Sequence, residues 1–220
     1  MKKLYGVGTG PGSKEFLTLK AVDVIKKAKV LFAPNNKGKN MALDTIEDFI
    51  DGQKIVLIDF PMGNVTKKDY IDGANIIYKE IPDGGIGAFL TIGDPMIYST
   101  FIYIMRELED MDIDIEIVPG IPSFLAGAAK SKMPLTVKGD RFLLCDELRE
   151  GLPKEIDSIC ILKTLKDKEN ILGLLESKNF DYNYIKRCTL KDENIIKDKD
   201  EILKDKDYIS LIMGRRREND

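Results

Sequence analysis

Ile86-Gly87-Ala88-Phe89-Leu90-Thr91-Ile92-Gly93-Asp94-Pro95 is a nearly all-apolar run that ends directly in glycine, a carboxylate and proline. Apolar side chains at consecutive positions fit a strand covered on both faces, the situation of a central strand in a parallel sheet. Two further corners follow the same plan. Residues 4–7 lead into Gly6-Val7-Gly8-Thr9-Gly10-Pro11-Gly12, and residues 113–118 end at Pro119-Gly120-Ile121-Pro122-Ser123. In an α/β sheet the carboxyl ends of parallel strands lie along one edge, so three such corners can meet at one crevice. Glycine lets backbone approach a ligand closely and proline stiffens that approach, so the corners predict a small-molecule site.

Outward from residues 86–92, the first half alternates strand-like and helix-like segments, with further strands at 30–33 and 55–60. Helical spacing of apolar residues predicts one helix through Leu19, Ala21, Val22, Ile25 and Ala28 and another through Leu43, Ile46, Phe49 and Ile50. Two more are predicted through Tyr70, Ala74, Ile77 and Ile81, and through Ile97, Phe101, Ile104, Met105 and Leu108. This rhythm reads as a parallel sheet with helices on its faces, and right-handed crossovers place the three corners on one edge. Beyond Pro134 the pattern changes: residues 142–145, 158–162, 184–187 and 208–213 read as strands, with a helix through Ile171, Leu174 and Leu175. The charged stretch 186–207 mixes signs residue by residue and is expected to be a solvated surface. The expected fold class is α/β in two α/β domains, residues 1–120 carrying the glycine-rich and Gly-Asp-Pro corners and residues 121–220 forming the second.

Composition narrows the functions open to such a chain. Its 220 residues, 43% of them apolar, supply enough core for one large domain or two modest ones and argue against disorder. A net charge of −3 provides no global basic field, which argues against nucleic acid as the main partner. The run Arg215-Arg216-Arg217 has no interleaved aromatics and is expected to be a solvated terminus. Cys145, Cys160 and Cys188 are odd in number and far apart, so neither a disulfide framework nor a metal cluster is expected; reduced, mostly buried thiols are. The first residues meet Gly6 before any apolar core of a signal peptide, and no run approaches the roughly 18 apolar residues of a membrane span, so a soluble, cytoplasmic protein without membrane attachment is expected. Histidine is absent from the whole sequence. A Ser-His-Asp triad, a Cys-His pair and imidazole-ligated zinc are thereby excluded. Chemistry falls to carboxylates, lysine, tyrosine, hydroxyls, the backbone, or a reagent that arrives already activated, and no protein-bound metal is expected.

Each corner alone has an ordinary reading. The dinucleotide fingerprint, started at Gly6, requires glycine or alanine where Pro11 stands, and no acidic residue ends the second strand to hold a ribose. No Gly-Lys-Ser/Thr closes a P-loop, and a purely structural glycine turn stays open. Gly-Asp-Pro is common turn chemistry. Asp94 either caps the helix that follows or meets a ligand, capping being the stronger expectation, with Tyr98 and Ser99 near the first helical turn.

Together and in order, the corners resemble the tetrapyrrole methylases, an S-adenosylmethionine-dependent family. The resemblance is carried by Gly6-Val7-Gly8-Thr9-Gly10-Pro11-Gly12 with Phe16-Leu17-Thr18-Leu19-Lys20-Ala21, by Gly93-Asp94-Pro95-Met96-Ile97-Tyr98-Ser99-Thr100, and by Val118-Pro119-Gly120-Ile121-Pro122-Ser123. It extends over essentially the whole chain and is clearest before residue 135. The second corner and Lys37-Gly38-Lys39 look most like members that methylate C20 of precorrin-2 or cobalt-factor II in cobalamin biosynthesis. Family likeness implies a homodimer of two α/β domains, with the donor S-adenosyl-L-methionine in the cleft between the domains and a tetrapyrrole as substrate. It implies Pro11 at the mouth of the site and Ile92, Gly93, Asp94, Ile97, Pro122 and Ser123 in the donor pocket, joined from the second domain by Leu162, Lys163 and Cys188. Gly8, Gly10 and Gly12 are then expected to face the acceptor, with Lys37, Lys39 and Arg141 meeting its carboxylates. Two positions depart from the family pattern: Ser13 and Arg141 stand where acidic residues are usual.

A sulfonium donor carries an already electrophilic methyl, so alignment and desolvation can supply most of the acceleration, in keeping with the missing histidine. Asp94 and Tyr98 are the candidates for placing groups or accepting the proton lost from the methylated carbon, beside a capping or packing role. Other activities of the same family remain open: another corrin position, uroporphyrinogen III, diphthine synthesis or ribosomal RNA. So do a nicotinamide-dependent reductase, which Pro11 and the missing ribose acid disfavour, and a catalytically silent ligand-binding module.

Overall fold

The computed structural model describes residues 1–35, 40–61, 65–148 and 151–217. Two compact units divide the chain, 1–122 and 123–220.

In the first unit the strands β1 (Lys2–Gly8), β2 (Val30–Pro34), β3 (Lys54–Ile58), β4 (Ile86–Thr91) and β5 (Ile113–Val118) form one sheet in the order β3-β2-β4-β1-β5. Every pairing in it is parallel. β4 is central, and Ala88, Phe89 and Leu90 are fully buried, which is what its unbroken apolar run requires. The helices α1 (Leu19–Lys27) and α2 (Met41–Ile46) cover one face, where Val24, Ile25 and Ile46 pack against Leu31 and Leu90. The opposite face holds α3 (Lys67–Glu80) and α4 (Thr100–Leu108), whose Ile77, Phe101 and Ile104 pack against Phe32 and Phe89.

The second unit opens with α5 (Ser123–Ser131) and continues through β6 (Phe142–Cys145), β7 (Ser158–Leu162), α6 (Lys168–Ser177), β8 (Phe180–Lys186), β9 (Asn194–Ile196), α7 (Lys199–Lys204) and β10 (Ser210–Arg216). Its sheet runs β6-β7-β10-β8-β9; β6 and β7 are parallel and the remaining pairs antiparallel. Alternation along β10 sends Ile212 to a core shared with Leu172, Leu175, Tyr184 and Ile202, while Leu211 and Met213 meet Gly127 of α5 on the other face.

Several expectations are corrected. The helix drawn through Phe49 and Ile50 stops at Ile46; a 3-10 turn Glu47–Phe49 follows and Ile50 is extended. The strand expected at 55–60 ends at Ile58. The strand expected from Tyr184 begins at Phe180, and that expected at 208–213 runs from Ser210 to Arg216. The charged stretch 186–207 is no mere solvated surface, since it contains β9 and α7 and buries Ile196 and Ile202. Nor are the arginines a solvated tail. Arg215 pairs with Asp140 at 2.7 Å, and Arg216 donates to Ile156 O and Lys178 O while lying 4.7 Å over the Phe180 ring. They end a strand because the partner strand starts four residues before the sequence pattern suggests, so that Arg216 pairs with Phe180.

Candidate functional site

β1 lies between β4 and β5, so the three corners leave adjacent strand ends. They interlock through the backbone. Thr9 N–H and its hydroxyl both donate to Thr91 O, at 2.8 and 3.2 Å, and Gly10 and Gly93 exchange N–H···O bonds of 3.3 and 2.7 Å. Asp94 ties in the third corner: Oδ2 accepts from Gly120 N–H at 3.0 Å and Oδ1 from Met96 N–H at 2.8 Å.

Glycine serves two purposes here. A Cβ on Gly120 would lie 2.1 Å from Gly93 O and 2.7 Å from Gly8 Cα, and one on Gly8 would lie 2.5 Å from Gly120 N, so these two glycines leave room for each other's backbone. Gly93 is different. It has φ of 74°, and the nearest atom to an added Cβ is Pro122 Cα at 3.8 Å, so its surface is open to an incoming molecule. Beside it Ile92, Met96 and Tyr98 are 37%, 47% and 43% exposed, an uncovered apolar margin around a backbone corner. Gly8, Gly10, Pro11 and Pro122 are buried, whereas Gly12 and Ile97 are half-buried.

Asp94 does not cap the helix that follows, contrary to the sequence expectation. Tyr98 has φ of 46°, which is incompatible with a helical turn, so α4 starts at Thr100 and its N-cap is Ser99, whose hydroxyl accepts from Phe101 N–H at 3.0 Å. Ile97 and Tyr98 thus stand on the turn before the helix.

Three expected contacts of the second unit meet at one edge of its own sheet. Lys163 N–H donates to Ser210 O at 3.1 Å and Arg187 N–H to Ile209 O at 2.8 Å, which brings Leu162 and Lys163 beside the start of β10 and Cys188 just beyond it. Ser123 begins α5 in the same unit. Lys163, Arg187 and Thr189 all have left-handed backbone, with φ of 57°, 49° and 69°. For non-glycine residues this costs on the order of 1–3 kcal/mol each and needs support from its surroundings.

At Arg187 the support is a side-chain network that sequence reading missed. Arg187 pairs with Asp207 at 2.5 Å and with Asp192. Asp205 accepts from Lys186 Nζ at 2.6 Å, Tyr184 OH at 2.8 Å and Asp207 N–H at 2.8 Å. Burial opposes its ionisation, yet these three donors hold its carboxyl down to about 2. Buried Lys168 donates to Asp205 O at 2.6 Å, Ile202 O at 3.2 Å and Tyr184 OH at 3.4 Å, and burial draws its pKa down. The only sequence signal was Ile196 and Ile202 within the charged stretch. Burial, with Glu193 nearby, pushes the Cys188 thiol up to about 12, so it presents a neutral packing surface and no nucleophile.

Arg141 is exposed and pairs with Glu155, and its N–H donates to Asp157 at 2.8 Å. Lys37 and Lys39 lie outside the described residues. Among the described residues, no group of three or more His, Cys, Asp or Glu side chains is placed to hold a metal ion.

Residues 3–202 match the family model of the Tetrapyrrole (Corrin/Porphyrin) Methylases. The chain is 38% identical over 98% of its length to the probable cobalt-precorrin-2 C(20)-methyltransferase of Methanocaldococcus jannaschii, covering 97% of that protein. It is 32% identical over 79% of its length to the cobalt-precorrin-2 C(20)-methyltransferase of Salmonella typhimurium, covering 77% of it. Among solved structures, uroporphyrin-III C-methyl transferase from Thermus thermophilus complexed with S-adenyl homocysteine shares the fold with a TM-score of 0.72 at 20% identity, over 97% of both chains.

Proposed function

Because the chain belongs to the tetrapyrrole (corrin/porphyrin) methylase family, we propose that it transfers a methyl group from S-adenosyl-L-methionine to C20 of precorrin-2 or its cobalt form, in cobalamin biosynthesis. The observation that carries this reading is the 38% identity over 98% of the chain with a probable C20-methyltransferase. The donor supplies an electrophilic methyl on a sulfonium: C20 bonds to it as the S–CH3 bond breaks, and C20 then loses its proton.

Gly93 is the position whose geometry best fits the donor, because its backbone is open on the side where a Cβ would stand. Ile92, Asp94 and Ile97, with Pro11 and Pro122, complete the donor contacts assigned to the first unit. Those assigned to the second are Ser123, Leu162, Lys163 and Cys188. The positive charge is dispersed as the methyl moves, so the apolar margin of Ile92 and Met96 would favour the transition state by keeping water away. Both oxygens of Asp94 already accept backbone N–H bonds, which suits it to fixing the corner, while the exposed Tyr98 is assigned the contact with the acceptor or its departing proton. Gly8, Gly10 and Gly12 form the acceptor side of the corner, with Gly12 its accessible member, and Lys37, Lys39 and Arg141 are assigned to substrate carboxylates. The reading carries with it a cytoplasmic homodimer, for which the free thiols suit a reducing compartment.

The test is calorimetry with S-adenosylmethionine, then incubation with precorrin-2 and cobalt-precorrin-2 followed by mass spectrometry. Donor binding and a gain of one methyl at C20 are expected. Lack of donor binding would overturn the methyltransferase reading, and turnover only on another tetrapyrrole, a diphthamide intermediate or RNA would overturn the substrate.

A further inference from the structure

At the opposite end of β8 from the Lys186–Cys188 corner, roughly 20 Å along the strand at about 3.3 Å per residue, the second unit contains a cavity of about 1000 Å3. Five cationic side chains line it, Lys132, Lys197, Arg215, Arg216 and Arg217, against two carboxylates, Glu176 and Asp181. Both carboxylates are engaged: Glu176 with Lys199 at 2.6 Å and Tyr182 OH at 2.7 Å, and Asp181 with Arg217 at 2.7 Å. Arg215 is held by Asp140 and Arg216 by backbone carbonyls. The ammonium groups of Lys132 and Lys197 have no hydrogen-bond or ion-pair partner among the described residues.

Lys132 is placed with care. Lys132 N–H donates to Ala129 O and Met133 N–H to Ala128 O, the paired bonds that close a helix with a left-handed residue after its last turn. Glycine usually stands there; here it is a lysine with φ of 55°, whose backbone is fixed at the cavity wall.

Asn183 supplies an independent indication. It lines the cavity and is only 3% exposed, and its Oδ1 accepts no hydrogen bond. Its Nδ2 meets only the sulfur of Met133, a weak acceptor at 4.0 Å. Turning the amide over leaves the other end unmatched. Buried polar atoms are rarely left so, because an unmade bond costs about 1–3 kcal/mol.

We propose that this cavity is a binding site for a multiply charged organic anion that also carries a hydrogen-bond donor. Lys132 and Lys197 take its anionic groups, and a hydroxyl or amine satisfies Asn183. The volume suits a small organic molecule, for which sites run from about 300 to 1,000 Å3. A lone inorganic anion would fill little of it and leave Asn183 unmatched. The site lies at the other end of β8 from the Lys163 and Cys188 contacts assigned in the second unit and does not depend on the methyl-transfer reading.

Citrate and tricarballylate test it, since both carry three carboxylates and only citrate has a hydroxyl. Titration calorimetry of the full chain at low ionic strength should show one citrate per chain, bound about tenfold more tightly than tricarballylate, the worth of one hydrogen bond. The double variant Lys132→Gln with Lys197→Gln should weaken both by at least tenfold, and Asn183→Leu should erase the preference for citrate without weakening tricarballylate. In case Asn183→Leu does not fold, citrate-induced shifts in the amide spectrum of the unaltered protein should centre on Lys132, Asn183 and Lys197. No binding, equal affinity for the two acids, inorganic phosphate binding as tightly as citrate, indifference to the lysine changes, or shifts centred elsewhere would each overturn the proposal.

Discussion

The two strand-end corners are built from opposite materials. In the first unit Gly8, Gly93 and Gly120 bring three backbone segments into direct contact, and a single carboxylate, Asp94, closes the arrangement. In the second, no glycine stands at Lys163, Arg187 or Thr189 although all three are left-handed, and Lys168, Asp205, Asp207 and Arg187 hold the loops from their sides. A backbone-built corner depends on single positions and tolerates almost no added atom. A side-chain-built corner spreads its constraints over titratable groups, so it tolerates more substitution and responds to acid.

The largest effect expected of this contrast is at Gly120. Gly120→Ala forces a methyl to within 2.1 Å of Gly93 O and 2.7 Å of Gly8 Cα, both backbone atoms that cannot swing aside. Destabilisation of more than about 3 kcal/mol is expected, at or beyond the usual range for overpacking, measured by urea denaturation. Gly93→Ala faces no such clash and bears only the left-handed backbone penalty of about 1–2 kcal/mol. That variant should fold and lose affinity for S-adenosylmethionine. Equal stability of the two variants would break the distinction between a glycine that admits backbone and one that admits a ligand.

Acid should act on the second corner next. Asp205, its side chain 11% exposed, has its carboxyl held at about 2 in the folded chain, below the ordinary 3.8. A depressed carboxyl stabilises the fold fully above its unfolded value and loses that contribution as pH falls through the folded one. About 2 kcal/mol is therefore present above roughly pH 5 and lost toward pH 2. In urea titrations across that range, Asp205→Asn should be less stable than the unaltered chain at pH 6, and the gap should close as pH falls. A gap independent of pH would mean that the network acts by shape alone.

This difference in material also explains what could be read from sequence. The parallel sheet was legible because burial on both faces leaves consecutive apolar residues at 86–92, and the three corners because glycine and proline follow strand ends directly. Whether a glycine makes room for a ligand or for another strand is not written locally: Gly8 and Gly93 look alike until Gly120 N is placed where a Cβ on Gly8 would stand, while the corresponding side of Gly93 meets only Pro122 Cα at 3.8 Å. The stretch 186–207 reads as surface because sequence displays the signs of Lys186 and Asp205 but not their meeting with each other and with Lys168 across a sheet. The same holds for Arg216, whose ring partner Phe180 stands on a strand that is adjacent in the sheet but remote in sequence.

The smallest expected effect concerns Ser99, which takes the helix-capping role that the sequence pattern assigns first to Asp94. Ser99→Ala removes the N-cap of α4 and should cost about 1 kcal/mol, a fall of about 2–4 °C in Tm for a chain of this size, without altering donor affinity. Asp94→Ala instead leaves Gly120 N–H and Met96 N–H without acceptors and frees the corner around Gly93, so it should cost more stability and weaken S-adenosylmethionine binding. The two variants separate helix capping from corner fixing because Ser99 touches the helix and Asp94 touches the neighbouring corner. If Ser99→Ala weakened the donor as much as Asp94→Ala, the start of α4, and not the interlocked glycines, would be setting the position of Gly93.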